Sequence, residues 1–158
     1  MITVVQRVQH ASVEVDGVRV GEIGRGYLLL VGVERGDTAA DADATARKVA
    51  GLRLFPGARP TDMALADVGG ACLVVSQFTL AGDVRHGNRP DFTAAAPPEL
   101  AQALYERVAA RLAEAGIPVA TGRFGASMQV ALANDGPMTV LVETRDGRVR
   151  SRAAPPAG

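Results

Sequence analysis

The chain has 158 residues, of which 47% are hydrophobic and 22% charged, the balance of a single soluble domain. Basic and acidic residues both number 17. A net charge of zero disfavours binding to long stretches of nucleic acid, although recognition of one nucleic-acid end needs only a local basic patch. The sequence has one cysteine, no signal-peptide pattern at its N-terminus and no apolar run near the roughly 18 residues of a membrane span. We therefore expect no internal disulfide, no membrane partner and a cytoplasmic location.

β-Branched residues in the first part of the chain predict four strands: Ile2–Val8, Ala11–Val15, Val18–Ile23 and Tyr27–Val33. His10 falls at the predicted turn between the first two strands, and Asp16-Gly17 is a residue pair that tight hairpin turns prefer. The fourth strand is continuously apolar, which is typical of a central strand buried on both faces.

Two helices and three more strands are predicted in the rest of the chain. Asp37-Thr38 can cap a helix that runs to about Leu54, and Pro97-Pro98-Glu99 begins a second helix that ends at Gly116. The three strands are Ala71–Leu80, Ser127–Ala133 and Met138–Glu143. Loops rich in Gly and Pro are expected at 56–60 and 82–90.

This order of elements predicts an α/β protein in which mostly antiparallel sheets are covered on one side by two main helices. We assign residues 1–143 to a single domain. Residues 144–158 are polar, rich in arginine and end in Pro-Pro-Ala-Gly, so we predict a disordered C-terminal tail.

Standard catalytic constellations find little support, because the chain has two histidines and one cysteine. A structural zinc site needs about four ligands and a catalytic one about three, so we predict neither a metal nor another cofactor. His10 is expected to be a surface residue, and no carboxylate is spaced to orient His86 as a general base. Cys72 lies in an apolar run and is more typical of a small buried hydrophobe than of a nucleophile.

Two motifs remain. Ser76-Gln77-Phe78-Thr79-Leu80 ends an apolar strand with polar and aromatic residues. It is either a strand end whose hydroxyls satisfy turn amides or a strand end that presents N–H groups and hydroxyls to a ligand. The second motif, Asn134-Asp135-Gly136-Pro137-Met138-Thr139, is either an ordinary turn or a rigid projection into a pocket. An X-Pro bond can be cis at a cost of about 0.5–1 kcal/mol.

Several segments occur in an order that resembles one known family. They are Gln6-Arg7-Val8, Gly21-Glu22-Ile23-Gly24, Val31-Gly32-Val33-Glu34, Val74 to Leu80, Arg89-Pro90, Thr121-Gly122-Arg123-Phe124 and Asn134 to Pro137. Over roughly residues 1–143 the chain resembles the bacterial D-aminoacyl-tRNA deacylases. The resemblance implies a barrel-like, layered fold and a homodimer with the site at the subunit interface. It also implies hydrolysis of the ester that joins a D-amino acid, or glycine, to the 3′ end of tRNA.

The resemblance also implies roles for individual residues. Gly136 and Pro137 would enter the partner's pocket as a Gly-cis-Pro turn that rejects L-amino acids, and Arg7 would hold that turn. Backbone N–H groups near Gln77 and Phe78 would stabilise the oxyanion, and Thr79 would line the pocket without acting as nucleophile. The remaining implied substrate-binding residues are Ser76, Leu80, Arg89, Phe124, Met128, Asn134, Met138 and Thr139.

Three expectations complete this interpretation. Met138 and Thr61-Asp62-Met63-Ala64 depart from the usual family pattern, and only the second departure puts substrate contacts in doubt. Arg85, Arg89 and Arg123, with weaker help from tail arginines such as Arg145 and Arg152, could meet tRNA phosphates. The competing hypothesis is a noncatalytic dimer that binds the aminoacylated 3′ end of tRNA, since acid–base side chains are missing.

Overall fold

A computed structural model describes residues 1–150 of the chain. The strands are β1 Ile2–Val15, β2 Val18–Ile23, β3 Gly26–Gly32, β4 Ala71–Ser76, β5 Val119–Thr121, β6 Gln129–Arg145 and β7 Arg148–Val149. The helices are α1 Ala39–Gly51, α2 Leu65–Val68 and α3 Pro98–Glu114, and a 3-10 turn covers Phe78–Ala81.

All seven strands form one curled sheet in the order β5-β4-β3-β1-β6-β7, and β2 also pairs with β1. Pairing is antiparallel around β1 and between β6 and β7, whereas β4 is parallel to both of its neighbours, β3 and β5. The prediction of an α/β fold with mostly antiparallel pairing is therefore confirmed.

The two faces of the sheet bury two hydrophobic clusters. The larger cluster lies under α1 and α3, which contribute Val49, Tyr105, Val108 and Leu112. In α3 these positions recur at helical spacing, so one stripe of the helix packs on the sheet. The smaller cluster forms on the other face, where the curled ends of β1 and β2 cover Leu28, Leu73 and Val75.

Strand β1 is longer than predicted. It continues through His10, which pairs with Ala133 of β6 and is exposed, so the predicted turn at His10 is wrong. The register of the β1–β6 ladder shifts between Gln6 and His10. An irregularity of this kind lets one strand bend and pair with β3 on its first half and β2 on its second without breaking.

Other boundaries also differ from the sequence prediction. Strand β4 ends at Ser76 instead of Leu80, because the chain tightens into the 3-10 turn after Gln77. Helix α1 ends at Gly51, and the two strands expected between 127 and 143 are one strand, β6. Strand β5 and helix α2 were not predicted, since three or four residues carry too little periodicity.

The regular structure extends beyond residue 143, where we placed the end of the domain. Strand β6 runs to Arg145 and forms a hairpin with β7. Thr144 is buried and its hydroxyl lies 2.9 Å from that of Thr45. Arg145 makes ion pairs with Glu34 and Asp37, so it is not a tail residue. Residues 151–158, which include Arg152, lie outside the described residues, and the prediction of disorder for them stays a prediction.

None of the helices described within residues 1–150 combines the length and the apolar character that crossing a membrane requires.

Candidate active site

The end of β4 places the first motif at the edge of the sheet. The Gln77 amide N–H donates a 2.8 Å hydrogen bond to the Val31 carbonyl, which extends the β3–β4 ladder by one residue. Phe78 then begins the 3-10 turn. The first N–H groups of a helical turn have no acceptor within it. Within residues 1–150, no hydrogen bond uses the amide N–H of Phe78 or Thr79.

A cavity of about 570 Å³ opens beside this strand end. Five of the predicted site residues line it together: Ser76, Gln77, Phe78, Phe124 and Met128. Small side chains that the sequence analysis missed also line the cavity, among them Ala95, Ala96 and Ala101. Alanines carry no chemical signature in a sequence. They reach the cavity because the Ala96 N–H donates to the Val33 carbonyl and ties this segment to the end of β3.

The cavity is uncharged. Of the lining residues within the described part of the chain, none has an ionisable side chain, and Ser76 and Ser127 supply the hydroxyls. Cys72 lies in the same strand, β4, but is fully buried and does not line the cavity, and its burial raises the pKa of the thiol to about 12. This confirms that Cys72 is a buried hydrophobe. The arrangement can therefore act on a ligand through hydroxyls, an amide side chain and main-chain N–H groups.

Aromatic rings form the rim of the cavity. Phe78 is 54% exposed and makes an edge-to-face contact with Phe92, with ring centroids 5.3 Å apart. Phe124 packs against Tyr105 at 6.1 Å, and the Tyr105 hydroxyl donates to the Val74 carbonyl of β4. Tyr105 of helix α3 therefore links Phe124 to strand β4.

The second motif lies elsewhere on the chain. The Gly136-Pro137 peptide bond is cis, and both residues are exposed. Neither is among the residues that line the cavity. A Cβ built on Gly136 would meet no atom within 4 Å. Packing within residues 1–150 therefore does not require glycine at this position.

Arg7 holds the turn from the adjacent strand, as expected. Its guanidinium is buried and donates to the carbonyls of Asp135 at 3.1 Å and Gly136 at 3.4 Å. It also donates to the Leu54 carbonyl and pairs with the Asp135 carboxylate at 2.9 Å. A forked donor suits these several acceptors, because its N–H groups diverge in one plane.

The other predicted site residues lie at the turn, in the larger hydrophobic cluster or on the 3-10 turn. Asn134 donates to the Arg7 carbonyl at 2.8 Å, and Thr139 donates to the Asn134 side chain, so both support the turn. Met138 packs against the larger hydrophobic cluster. Thr79 is exposed, and its hydroxyl accepts a hydrogen bond from the Gln77 side chain. Leu80 faces Gly32 on the 3-10 turn.

The expected pair of oxyanion donors is reduced to one. Since the Gln77 N–H already donates to the Val31 carbonyl, only the Phe78 amide of that pair has no hydrogen-bond partner within residues 1–150.

The basic loop 82–90 contains an internal ion pair. Arg85 pairs with Asp83, which lowers the pKa of the Asp83 carboxyl to about 2. Arg85 and Arg89 are both exposed, but Arg89 makes no ion pair within residues 1–150, so it is the better candidate for phosphate contact.

Known proteins resemble this chain over most of its length. The family model for D-Tyr-tRNA(Tyr) deacylase matches residues 4–143. A D-aminoacyl-tRNA deacylase of Anaeromyxobacter dehalogenans is 57% identical over 92% of this chain and 98% of its own length. The corresponding protein of Ruegeria pomeroyi is 54% identical over 90% of this chain and 99% of its own length.

Solved structures agree with the fold. One described as the c-Myc DNA Unwinding Element Binding Protein superposes with a TM-score of 0.86 at 39% identity, covering 92% of this chain and 99% of that one. A probable eukaryotic D-amino acid tRNA deacylase gives a TM-score of 0.70 at 19% identity, over 89% of this chain and 97% of that one. The second supports the fold alone.

Proposed function

This chain belongs to the D-Tyr-tRNA(Tyr) deacylase family, and on that premise we propose that it hydrolyses the ester between a D-amino acid and the terminal ribose of tRNA in the cytoplasm. Water adds to the ester carbonyl, the bond to the ribose oxygen breaks, and free tRNA and the D-amino acid leave. The observation that carries this proposal is the uncharged cavity at the end of β4, where Ser76, Gln77 and Phe78 meet Phe124 and Met128.

The chemistry rests on main-chain groups and on the substrate. Since no ionisable side chain among the described residues lines the cavity, the ribose hydroxyl beside the ester assists the attacking water. The Phe78 amide N–H stabilises the oxyanion that develops, an effect worth about 3–4 kcal/mol for one well-placed donor. Thr79 is not the nucleophile. Its hydroxyl accepts a hydrogen bond from the Gln77 side chain, and no general base within residues 1–150 forms a hydrogen bond with it.

Selection of the D configuration is assigned to Gly136 and Pro137. The turn is exposed, is held by Arg7 and does not line the cavity of its own chain. We place it in the cavity of a second copy, so that the site forms at the interface of a homodimer. The carbonyls of the turn leave no room for an L side chain but admit a D side chain or the hydrogen of glycine, so glycyl-tRNA is also cleaved.

The decisive measurement compares matched D-tyrosyl-tRNA and L-tyrosyl-tRNA, with release of the amino acid followed over time. We expect cleavage of the D-ester and survival of the L-ester. Cleavage of both, or of neither, would contradict the proposal. Glycyl-tRNA in the same assay tests the smaller substrate.

One alternative keeps the binding site but not the reaction. A dimer that only holds the aminoacylated 3′ end of tRNA would also present an uncharged cavity without acid–base side chains. Multiple turnover distinguishes the two functions. A hydrolase releases many equivalents of D-tyrosine per protein, whereas a binding protein slows the spontaneous loss of the ester.

A further inference from the structure

A groove of about 450 Å³ lies on the side of α1 where this helix meets the β6–β7 hairpin. Three cationic side chains line it, Arg47, Lys48 and Arg53, together with Gly147 and Val149 of the hairpin. No carboxylate is among its lining residues, which all belong to the described part of the chain. The groove is therefore a concave basic surface, which we call the α1 groove.

The cations of this surface are unpaired, whereas about half of the other arginines within residues 1–150 are neutralised by carboxylates. Six arginines take part in ion pairs: Arg7, Arg19, Arg85, Arg107, Arg111 and Arg145. The three cations of the α1 groove are exposed, and none makes an ion pair within residues 1–150. A chain of zero net charge can bind a polyanion only where its cations are unpaired and adjacent.

Acidic groups near the groove do not cancel it. Asp43 is taken by Arg107 and Arg111. Asp41 is buried and bonded to the Gly147 and Thr38 N–H groups. Asp146 in the hairpin turn is exposed, and its single charge offsets at most one of the three positive charges.

The need to stabilise α1 also does not explain the cluster. Lys48 lies in the last turn of α1 and complements the negative end of the helix dipole. Arg47 precedes that turn and Arg53 follows the C-cap residue Leu52, so neither lies in the turn where this effect is strongest.

The groove is connected to the selector turn. Arg53 directly precedes Leu54, whose carbonyl accepts a hydrogen bond from Arg7, and Arg7 also binds the carbonyls of Asp135 and Gly136. The α1 groove thus lies one residue from the group that anchors the Gly136-Pro137 turn.

We propose that the α1 groove binds the phosphate backbone of the tRNA, through Arg47, Lys48 and Arg53. The inference rests on the proposed function for the identity of the RNA. It adds a binding surface on α1, away from the cavity. It also accounts for tRNA affinity in a neutral protein whose cavity has no charge.

The test measures binding of a fluorescently labelled, uncharged tRNA transcript by anisotropy, so that it does not depend on catalysis. The groove variant is Arg47→Gln/Lys48→Gln, at exposed positions of a helix where glutamine is well tolerated. The matched control, Arg19→Gln/Arg59→Gln, removes the same charge from exposed positions outside the groove. Melting temperatures check that both variants are folded.

We expect the groove variant to bind about 5- to 30-fold more weakly near 0.1 M salt. Its slope of log affinity against log salt should fall by about 1 to 2, since each lost phosphate contact removes roughly 0.7–0.9. The control should stay within about twofold of the wild type.

Several results would overturn the inference: equal losses in both variants, no loss in the groove variant, or no binding by the wild type at about 50 mM salt. Displacement of the tRNA by polyglutamate at equal charge concentration would also overturn it, because the groove would then be a general anion surface. Failure of the proposed function is a separate result: the wild type would bind the transcript through the groove and leave D-tyrosyl-tRNA intact.

Discussion

At the scale of single residues, Arg7 connects the fold to the proposed selector. It is 6% exposed and bonds to three carbonyls and one carboxylate, drawn from Leu54, Asp135 and Gly136. Removing a buried guanidinium would leave each of its acceptors without a hydrogen-bond partner, which is costly. The acceptors are therefore held in place around it. The orientation of the turn therefore depends on this side chain.

Replacing Arg7 with alanine should loosen the turn and the discrimination it provides. We expect measurable cleavage of L-tyrosyl-tRNA, a slower reaction with D-tyrosyl-tRNA, and a loss of about 1–3 kcal/mol in the free energy of unfolding. Arg7→Lys keeps the positive charge but not the forked guanidinium, so its D-over-L selectivity should lie between those of the wild type and Arg7→Ala. Unchanged D-over-L selectivity in Arg7→Ala would contradict the supporting role.

A second residue-scale prediction concerns Cys72 and alkaline pH. Burial raises the pKa of this thiol from 9.0 to about 12. The unfolded chain therefore releases the proton first, so the stability from keeping the thiol neutral is present below pH 9 and is lost between pH 9 and about 12. Urea unfolding should show the wild type losing up to roughly 1.4 kcal/mol per pH unit in this window.

Cys72→Ala provides the control for this slope. The variant should be less stable at pH 8 because of the small cavity it creates, and its stability should change less between pH 9 and 10. Equal slopes for both proteins would show that the thiol does not titrate as proposed. Burial also raises the pKa of Tyr27 to about 12, so part of the alkaline slope should remain in the variant.

At the scale of elements, the contact between β3 and the 3-10 turn positions the Phe78 amide. Gly32 ends β3 where the chain after β4 passes closely over it. A Cβ at residue 32 would lie 2.8 Å from the Leu80 Cβ and 3.0 Å from the Gln77 carbonyl oxygen. Glycine is needed here because of this close approach.

Gly32→Ala should push the 3-10 turn away from the sheet. We expect kcat on D-tyrosyl-tRNA to fall at least about tenfold, and the overpacking to cost about 1–3 kcal/mol of stability. Gly24→Ala is the matched control, since a Cβ there meets no atom within 4 Å. A Gly32→Ala protein with wild-type kcat would mean that the turn does not supply the oxyanion donor.

At the scale of the whole molecule, the two motifs require a second copy if they are to meet. The cavity contains Ser76 to Phe78, whereas Gly136 and Pro137 lie outside it with open space beside them. Strand β6 pairs with β1 on one side and, on the other, only its end pairs with β7, so the segment that carries the turn is an uncovered edge within the described chain. An open edge with an exposed turn suits association with a symmetric partner.

Mixing two inactive variants tests this shared site. Gly136→Ala adds a methyl group that meets no atom of its own chain but would occupy the substrate's space in the partner's cavity, and Ala126→Trp fills the cavity from its loop. Each alone should be folded and nearly inactive. After joint unfolding and refolding, about a quarter of the wild-type activity should return, because half of the dimers are mixed and each has one intact site. No recovery would place the turn and the cavity in the same subunit.

Much of the site could be predicted from the sequence because motifs are local. The strand before Ser76, the hairpin at Asp16-Gly17 and the helix from Pro98 follow from patterns that neighbouring residues carry themselves. The part that could not be predicted depends on distant segments. Ala95 and Ala101 line the cavity because a backbone hydrogen bond to Val33 brings their segment there. The sequence around these alanines does not indicate that contact.

The support of the turn by Arg7 was implied by the family resemblance. By itself the sequence determined the α/β class, the two motifs and the buried state of Cys72. Polarity, periodicity and the backbone preferences of Gly and Pro act over a few residues, so each of these is visible locally. The tertiary structure alone decided that His10 continues a strand and that Val31 uses the Gln77 N–H. These depend on which strands become neighbours, and sheet pairing is set by contacts between residues far apart in the chain.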